Sequence, residues 1–213
     1  MRLVLASGSP RRKMFIQSLG IDYIVEPSDF DEYLDDRLSA EDVAMALALG
    51  KAKKVSLKFD NDYILGADTI VAVDGVQYGK PADQEEAKSM LRRISGRTHE
   101  VMTGVCLLNN DLNICESFAD TAHITFNVLP EDVIDAYIAT NDPYDKGGGY
   151  TMQHPLLMPY VSKIVGDQMT IIGLPLRRVH SMLTRHGFVM RISAEAAEKR
   201  FLASTHQDLR ILN

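Results

Sequence analysis

Residues 63–73 read Tyr63-Ile-Leu-Gly66-Ala-Asp68-Thr69-Ile-Val-Ala-Val73, eleven residues that are apolar on both faces save for one aspartate and one threonine. A strand buried on both sides reads this way, because neither face needs polar residues when helices or loops cover both. Asp74-Gly75 follows and makes a hairpin turn. The segment is therefore expected to be the central strand of a covered sheet.

Outward from it, elements alternate on the N-terminal side. Arg2–Ala6 reads as a short strand, Ser7-Gly8-Ser9 as a turn, and Pro10 to about Leu19 as a helix with Ser9 as N-cap, stopped at Gly20. Tyr23–Glu26 is strand-like, and Asp29–Asp36 is an acidic loop. Ser39 and Asp42 form a capping box for a helix running to about Lys58. On the other side, Asp83 with Glu86 opens a helix ended by Gly96, and Thr98–Leu108 and Asn113–Phe126 read as long antiparallel strands. Pro130–Ala139 is a helix, Asp142–Tyr150 a glycine-rich loop, Tyr160–Val165 and Met169–Ile172 strands, and Leu174–Arg185 a helix. A last helix and a polar tail follow Ser193. Early alternation with later hairpins predicts an α/β protein with a mixed sheet, one domain over residues 1–213.

The chain has 213 residues, 24% of them charged, and a formal net charge of −6. An acidic surface argues against binding a nucleic acid polymer, which needs a basic face. The longest apolar run, Val43–Gly50, is too short to span a membrane, and the N-terminus has no signal-peptide core. A soluble, cytoplasmic protein is expected. Cys106 and Cys115 are in no zinc-type spacing and are expected to be buried, reduced thiols.

The informative positions break local rules. Arg11, Arg12 and Lys13 occupy the first turn of a helix, where the dipole disfavours cations. A polyphosphate bound by the Ser7-Gly8-Ser9 loop, the helix amides and a guanidinium would reverse that cost; the plain alternative is three solvated side chains. Asp68 inside an apolar strand must be paired, ligated or at a cleft, and could instead be a structural partner of an arginine. Gly66 lets another group approach the backbone closely. Lys80 precedes Pro81, but Gly75–Pro81 is one residue short of a P-loop, and proline stands where the magnesium-binding hydroxyl belongs. Lys51 and Glu32 alone read as surface residues. Gly147, Gly148 and Gly149 suggest a backbone lying against a ligand or turning sharply; from that segment alone it is a surface turn with a core tyrosine, Tyr150. His123, His180, His186 and His206 show no ligand pattern.

Taken in order, LASGSPRR (Leu5–Arg12), GADTIV (Gly66–Val71), GKP (Gly79–Pro81), ISGRTHEVMTGV (Ile94–Val105), DKGGGY (Asp145–Tyr150) and IIGLPL (Ile171–Leu176) resemble the Maf family of nucleotide pyrophosphatases. The resemblance implies a two-lobed mixed α/β fold like that of inosine triphosphate pyrophosphatases, with a cleft between the lobes. It implies a divalent metal (Mg²⁺ or Mn²⁺), commonly a homodimer, and hydrolysis of a nucleoside triphosphate to the monophosphate and pyrophosphate. It places the catalytic carboxylate on Asp68, basic contacts on Arg11, Arg12, Lys51 and Lys80, Ser7 in the phosphate loop, and Glu32 beside Asp68 as metal ligand. Arg11, Thr69 and Gln153 fall where family subgroups differ by base, and glutamine at the last resembles the dTTP/UTP subgroup. Two positions depart from the pattern: His154 follows Gln153 where the family has glycine, and Gly50 stands where glutamate usually precedes the lysine. Two rival readings are a non-hydrolysing nucleotide-binding regulator of cell division and a phosphotransferase, for which no second-substrate site is evident.

Overall fold

Strand β3 (Tyr63–Val73) has every residue buried except half-buried Thr69. In this computed structural model, which describes residues 2–205, β3 is joined on one edge along most of its length by antiparallel β5 (Thr98–Asn109). β6 (Ile114–Phe126) and β7 (Val161–Val165) extend the sheet beyond β5. The other edge is shared. β1 (Leu3–Leu5), itself paired with β2 (Tyr23–Val25), runs parallel to Tyr63–Leu65, and β4 (Val76–Tyr78) folds back on Val71–Val73. The connecting turn uses positive φ at Asp74 (50°) and Gly75 (79°), the twist a two-residue hairpin needs. Between β1 and β4, residues 66–70 of β3 have no strand on that edge.

Side-chain alternation along β3 sorts the core into two layers. Tyr63, Leu65, Ala67, Val71 and Val73 enter the larger core with Phe15 of α1 (Pro10–Ser18), Leu91 of α3 (Gln84–Ile94) and Ile134 of α4 (Glu131–Ile138). Val179 of α6 (Leu176–Arg185) and Phe201 of α7 (Ala194–Thr205) complete it, Phe15 and Phe201 stacking with ring centroids 4.0 Å apart. Ile64, Ile70 and Ala72 face the other way, against α2 (Ala40–Ser56). That helix lies unusually close to the sheet. A Cβ on Gly66 would meet the Ala48 carbonyl oxygen at 2.1 Å, and one on Gly104, the β5 partner of Asp68, would meet Ala44 at 2.2 Å. Gly66 is thus there for α2 rather than for a ligand.

The expected caps form. Ser39 Oγ accepts from Asp42 N (3.1 Å), Asp83 from Glu86 N (2.8 Å), and Glu86 returns a bond to Ala82 N (2.7 Å). Two expectations are corrected. Residues 168–172 are a helix, α5 (Gln168–Ile172), not a strand. Thr170-Ile-Ile favours a strand locally, but Asp167 caps Met169 N (2.9 Å) and Gly173, at φ 120°, closes the turn. Cys106 is buried as expected, whereas Cys115, on β6, is exposed; both are free thiols. No helix among the described residues is long and apolar enough to cross a membrane. His206 and the tail lie outside the described residues.

Candidate active site

The interruption in the β3 edge is the floor of a cleft of about 870 Å³. Where β1 stops at Leu5, the chain turns through Ser7-Gly8-Ser9 into α1, and Asp68 and Thr69 emerge on opposite faces of the strand beside that turn. All nine candidate residues line the cleft: Ser7, Arg11, Arg12, Glu32, Lys51, Asp68, Thr69, Lys80 and Gln153. Lys13, the third basic residue of the first helical turn, does not.

Arg12 is not a solvated side chain. Its Nε donates to the Gly173 carbonyl (2.9 Å), Nη1 to Ser7 Oγ (3.3 Å) and Nη2 to Thr69 Oγ1 (3.0 Å). Burial lowers its pKa, partly offset by the Asp68 charge, and it stays a cation. Arg11 lines the cleft with its buried Nε lacking any hydrogen-bond partner. No acidic residue sits in the first turn of α1, so the amide dipole and both arginines present positive charge to the same space.

Asp68 and Lys51 are each only 8% exposed. The reading of Lys51 as a surface residue is therefore overturned: the close seating of α2 at Gly66 and Gly104 buries it against β3. Its Nζ donates to Asp68 Oδ1 and contacts Glu32 Oε1 at 2.8 Å. Asp68 is thus paired with a lysine rather than an arginine. Lys80 Nζ, more exposed, donates to Glu32 Oε2 at 3.2 Å. Burial acts to raise the Glu32 pKa, but the two lysines outweigh it and hold the carboxyl below its ordinary value. Two apolar anchors hold the acidic loop over the floor. The Phe30 ring rests on Gly50, where a Cβ would meet Cζ at 2.4 Å, and Leu34 packs at Gly79. The glycine at position 50 is therefore explained by its contact with Phe30.

Two carboxylates converging on one cationic point suit a hard divalent ion that takes its remaining ligands from phosphate and water. Among the described residues no group of three or more Asp, Glu, His or Cys gathers into a metal cage.

The far rim is the segment 142–153. Its glycines turn the chain sharply against β3: a Cβ on Gly147 would meet the Thr69 carbonyl oxygen at 2.9 Å, and one on Gly148, at φ 71°, would meet Val71 at 2.7 Å. Tyr150 is a core tyrosine, its hydroxyl 2.5 Å from His99 Nε2. Gln153 presents a buried Nε2 with no partner. His154 is not part of the lining; its ring packs edge-on to Tyr137, centroids 4.8 Å apart. The sequence reading missed Lys146 and Asp142, which also line the cleft and pair at 3.0 Å. Lys146 stands inside the DKGGGY motif already noted, which was the available signal. Five cations and four carboxylates line the cleft of a chain whose net charge is −6, so positive charge is concentrated here.

A mixed α/β sheet with an interrupted edge, a helix N-terminus carrying two arginines, and a buried lysine–carboxylate centre define a cleft for a small polyanion. The chain belongs to the Maf family: a family model described as "Maf-like protein" matches residues 2–186. It is 42% identical over 178 residues to a dTTP/UTP pyrophosphatase of Bacillus cytotoxicus, covering 84% of this chain and 92% of that one. It is 40% identical over 187 residues to the protein of the same name from Symbiobacterium thermophilum, covering 88% and 95%. Among solved structures it is similar to a nucleoside-triphosphatase, dITP/XTP pyrophosphatase, of Mycobacterium abscessus, with TM-score 0.43 and 12% identity over 88% of this chain and 95% of that one.

Proposed function

We propose that the cleft hydrolyses pyrimidine nucleoside triphosphates of the dTTP/UTP type to the monophosphate and pyrophosphate. The observation that carries this is the convergence of Arg11, Arg12, Lys51 and Lys80 on a cleft whose floor is the Asp68 carboxylate. The names of the 40–42% identical relatives support the same reading.

In this reading Arg11, Arg12 and Lys80 hold the triphosphate, aided by the amides that open α1. Asp68, held in place by Lys51, orients a water and takes its proton as the water oxygen attacks the α-phosphorus. The bond from that phosphorus to the bridging oxygen breaks, and pyrophosphate leaves with the electron pair beside the cationic rim. Asp68 and Glu32 would hold a Mg²⁺ or Mn²⁺ ion, which supplies neutralisation of charge on the phosphate oxygens. Preorganised positive charge supplies most of the rate. At the other end, the unpartnered Gln153 amide offers a donor to a pyrimidine carbonyl and an acceptor to N3–H.

The test is pyrophosphate release across UTP, dTTP, CTP, GTP, ATP and 7-methyl-GTP, for the natural chain and Gln153→Glu. Release is expected to be fastest from UTP and dTTP, and the variant is expected to lose about ten- to hundredfold on these two. Equal rates on all bases, or an unchanged preference in the variant, would discard the base reading. Nucleotide binding without release would favour the regulator.

A further inference from the structure

A row of polar side chains crosses the sheet from the cleft to its far side. Thr69, Thr103 and Asp120 are successive cross-strand partners on β3, β5 and β6. Thr103 is fully buried, as is Thr170 of α5, which packs over the row. Thr103 Oγ1 donates to the Thr170 carbonyl (2.8 Å), Thr69 Oγ1 lies 2.9 Å from Thr103 Oγ1, and Arg12 Nη2 donates to Thr69 Oγ1 (3.0 Å). The Thr170 hydroxyl donates onward to Asp120 Oδ2 (2.5 Å), which Arg178 holds through Oδ1 (2.7 Å).

The proton positions in this row follow from chemistry. A carbonyl only accepts, so the single Thr103 proton is committed to Thr170. Thr103 oxygen must then accept from Thr69, which commits the single Thr69 proton away from the cleft. What Thr69 offers to Arg12, a donor-only group, is therefore a lone pair. α5 acts twice here, because Gly173, which closes it, accepts from Arg12 Nε (2.9 Å).

We propose that Thr103 is a positioning residue for phosphate binding: it fixes Thr69 as an acceptor and so locks the Arg12 guanidinium plane toward the cleft. The proposal rests on the reading of the cleft as a phosphate site. It also means that Thr69 donates no hydrogen bond to a substrate. In Thr103→Val the Thr69 hydroxyl loses its acceptor, so nothing holds its proton away from the cleft and the lone pair it offers to Arg12 is no longer fixed in direction.

The experiment is calorimetric binding of inorganic pyrophosphate, which needs no turnover, so failure of the hydrolysis reading leaves it intact. Steady-state UTP kinetics accompany it. Thr103→Val is expected to weaken pyrophosphate binding about tenfold, and to raise KM more than it lowers kcat. Thr103→Ser, which keeps the hydroxyl, is expected to restore affinity to within about twofold. Because the action runs through Thr69, adding Thr103→Val to Thr69→Val should cost nothing further. Unchanged affinity in Thr103→Val, failure of serine to rescue, or additive losses in the double variant would overturn the proposal. Should Thr103→Val not fold, Thr69→Val alone must show the tenfold loss, and unchanged affinity there overturns it equally.

Discussion

Lys51 illustrates how one side chain can organise a site: its single ammonium is shared by Asp68 on a strand and Glu32 on a loop. Removing it would leave two carboxylates facing each other near the floor of the cleft. His99 is a second residue whose surroundings dictate a measurable property. It is 2% exposed, its ring lies parallel to Phe126 with centroids 5.8 Å apart, and its Nδ1 has no partner. Burial, reinforced by His123, pushes its pKa down to about 4 from 6.5. The unfolded chain therefore binds the proton first as pH falls, so stability is fully present above pH 6.5 and is lost toward pH 4. That loss should be about 3 kcal/mol, read by urea unfolding at pH 7 and pH 4. In His99→Gln this part of the pH slope should vanish; an unchanged slope would show that His99 is not the group responsible.

At the scale of elements, α2 determines the site. Its glycine contacts divide into two kinds, and substitutions should separate them. A methyl at Gly66 would strike backbone, the Ala48 carbonyl oxygen at 2.1 Å, which cannot move without lifting the helix. Gly66→Ala should cost about 3 kcal/mol. A methyl at Gly50 would strike only the Phe30 ring, a side chain on a loop, and alanine gains helix propensity there. Gly50→Ala should therefore stay within about 1 kcal/mol of the natural chain. Displacing Phe30 moves Glu32, however, so its turnover should fall several-fold. Urea unfolding beside pyrophosphate release checks both, and a Gly50→Ala chain with full activity would remove Phe30 as an anchor. These contacts also mark what sequence could not tell. Ser39, Asp83 and Asp74-Gly75 announce caps and a turn through chemistry local to a few residues. The purpose of Gly66 depends on a helix that begins 26 residues earlier. α5 forms against the local preference of its strand-favouring Thr170-Ile-Ile, which Asp167 and Gly173 at its ends overrule.

Across the whole molecule, the cleft exists because two short strands share one edge of β3 and leave residues 66–70 uncovered between them. That gap puts Asp68 and Thr69 at an opening although both lie in an otherwise buried strand. The anomaly of an aspartate in an apolar run was legible in sequence, as was the cationic first turn of α1. The burial of Lys51, the double anchoring of the acidic loop and the polar row through Thr103 were not, since each depends on pairing between distant segments. The measurement that tests the central claim most directly is hydrolysis of UTP in ¹⁸O-labelled water, beside Asp68→Asn. Label in the nucleoside monophosphate, with unlabelled pyrophosphate and a kcat lowered about 10²–10⁴-fold in the variant, is the predicted result. Label in pyrophosphate or orthophosphate, or near-normal turnover by Asp68→Asn, would contradict attack at the α-phosphorus from the Asp68 floor.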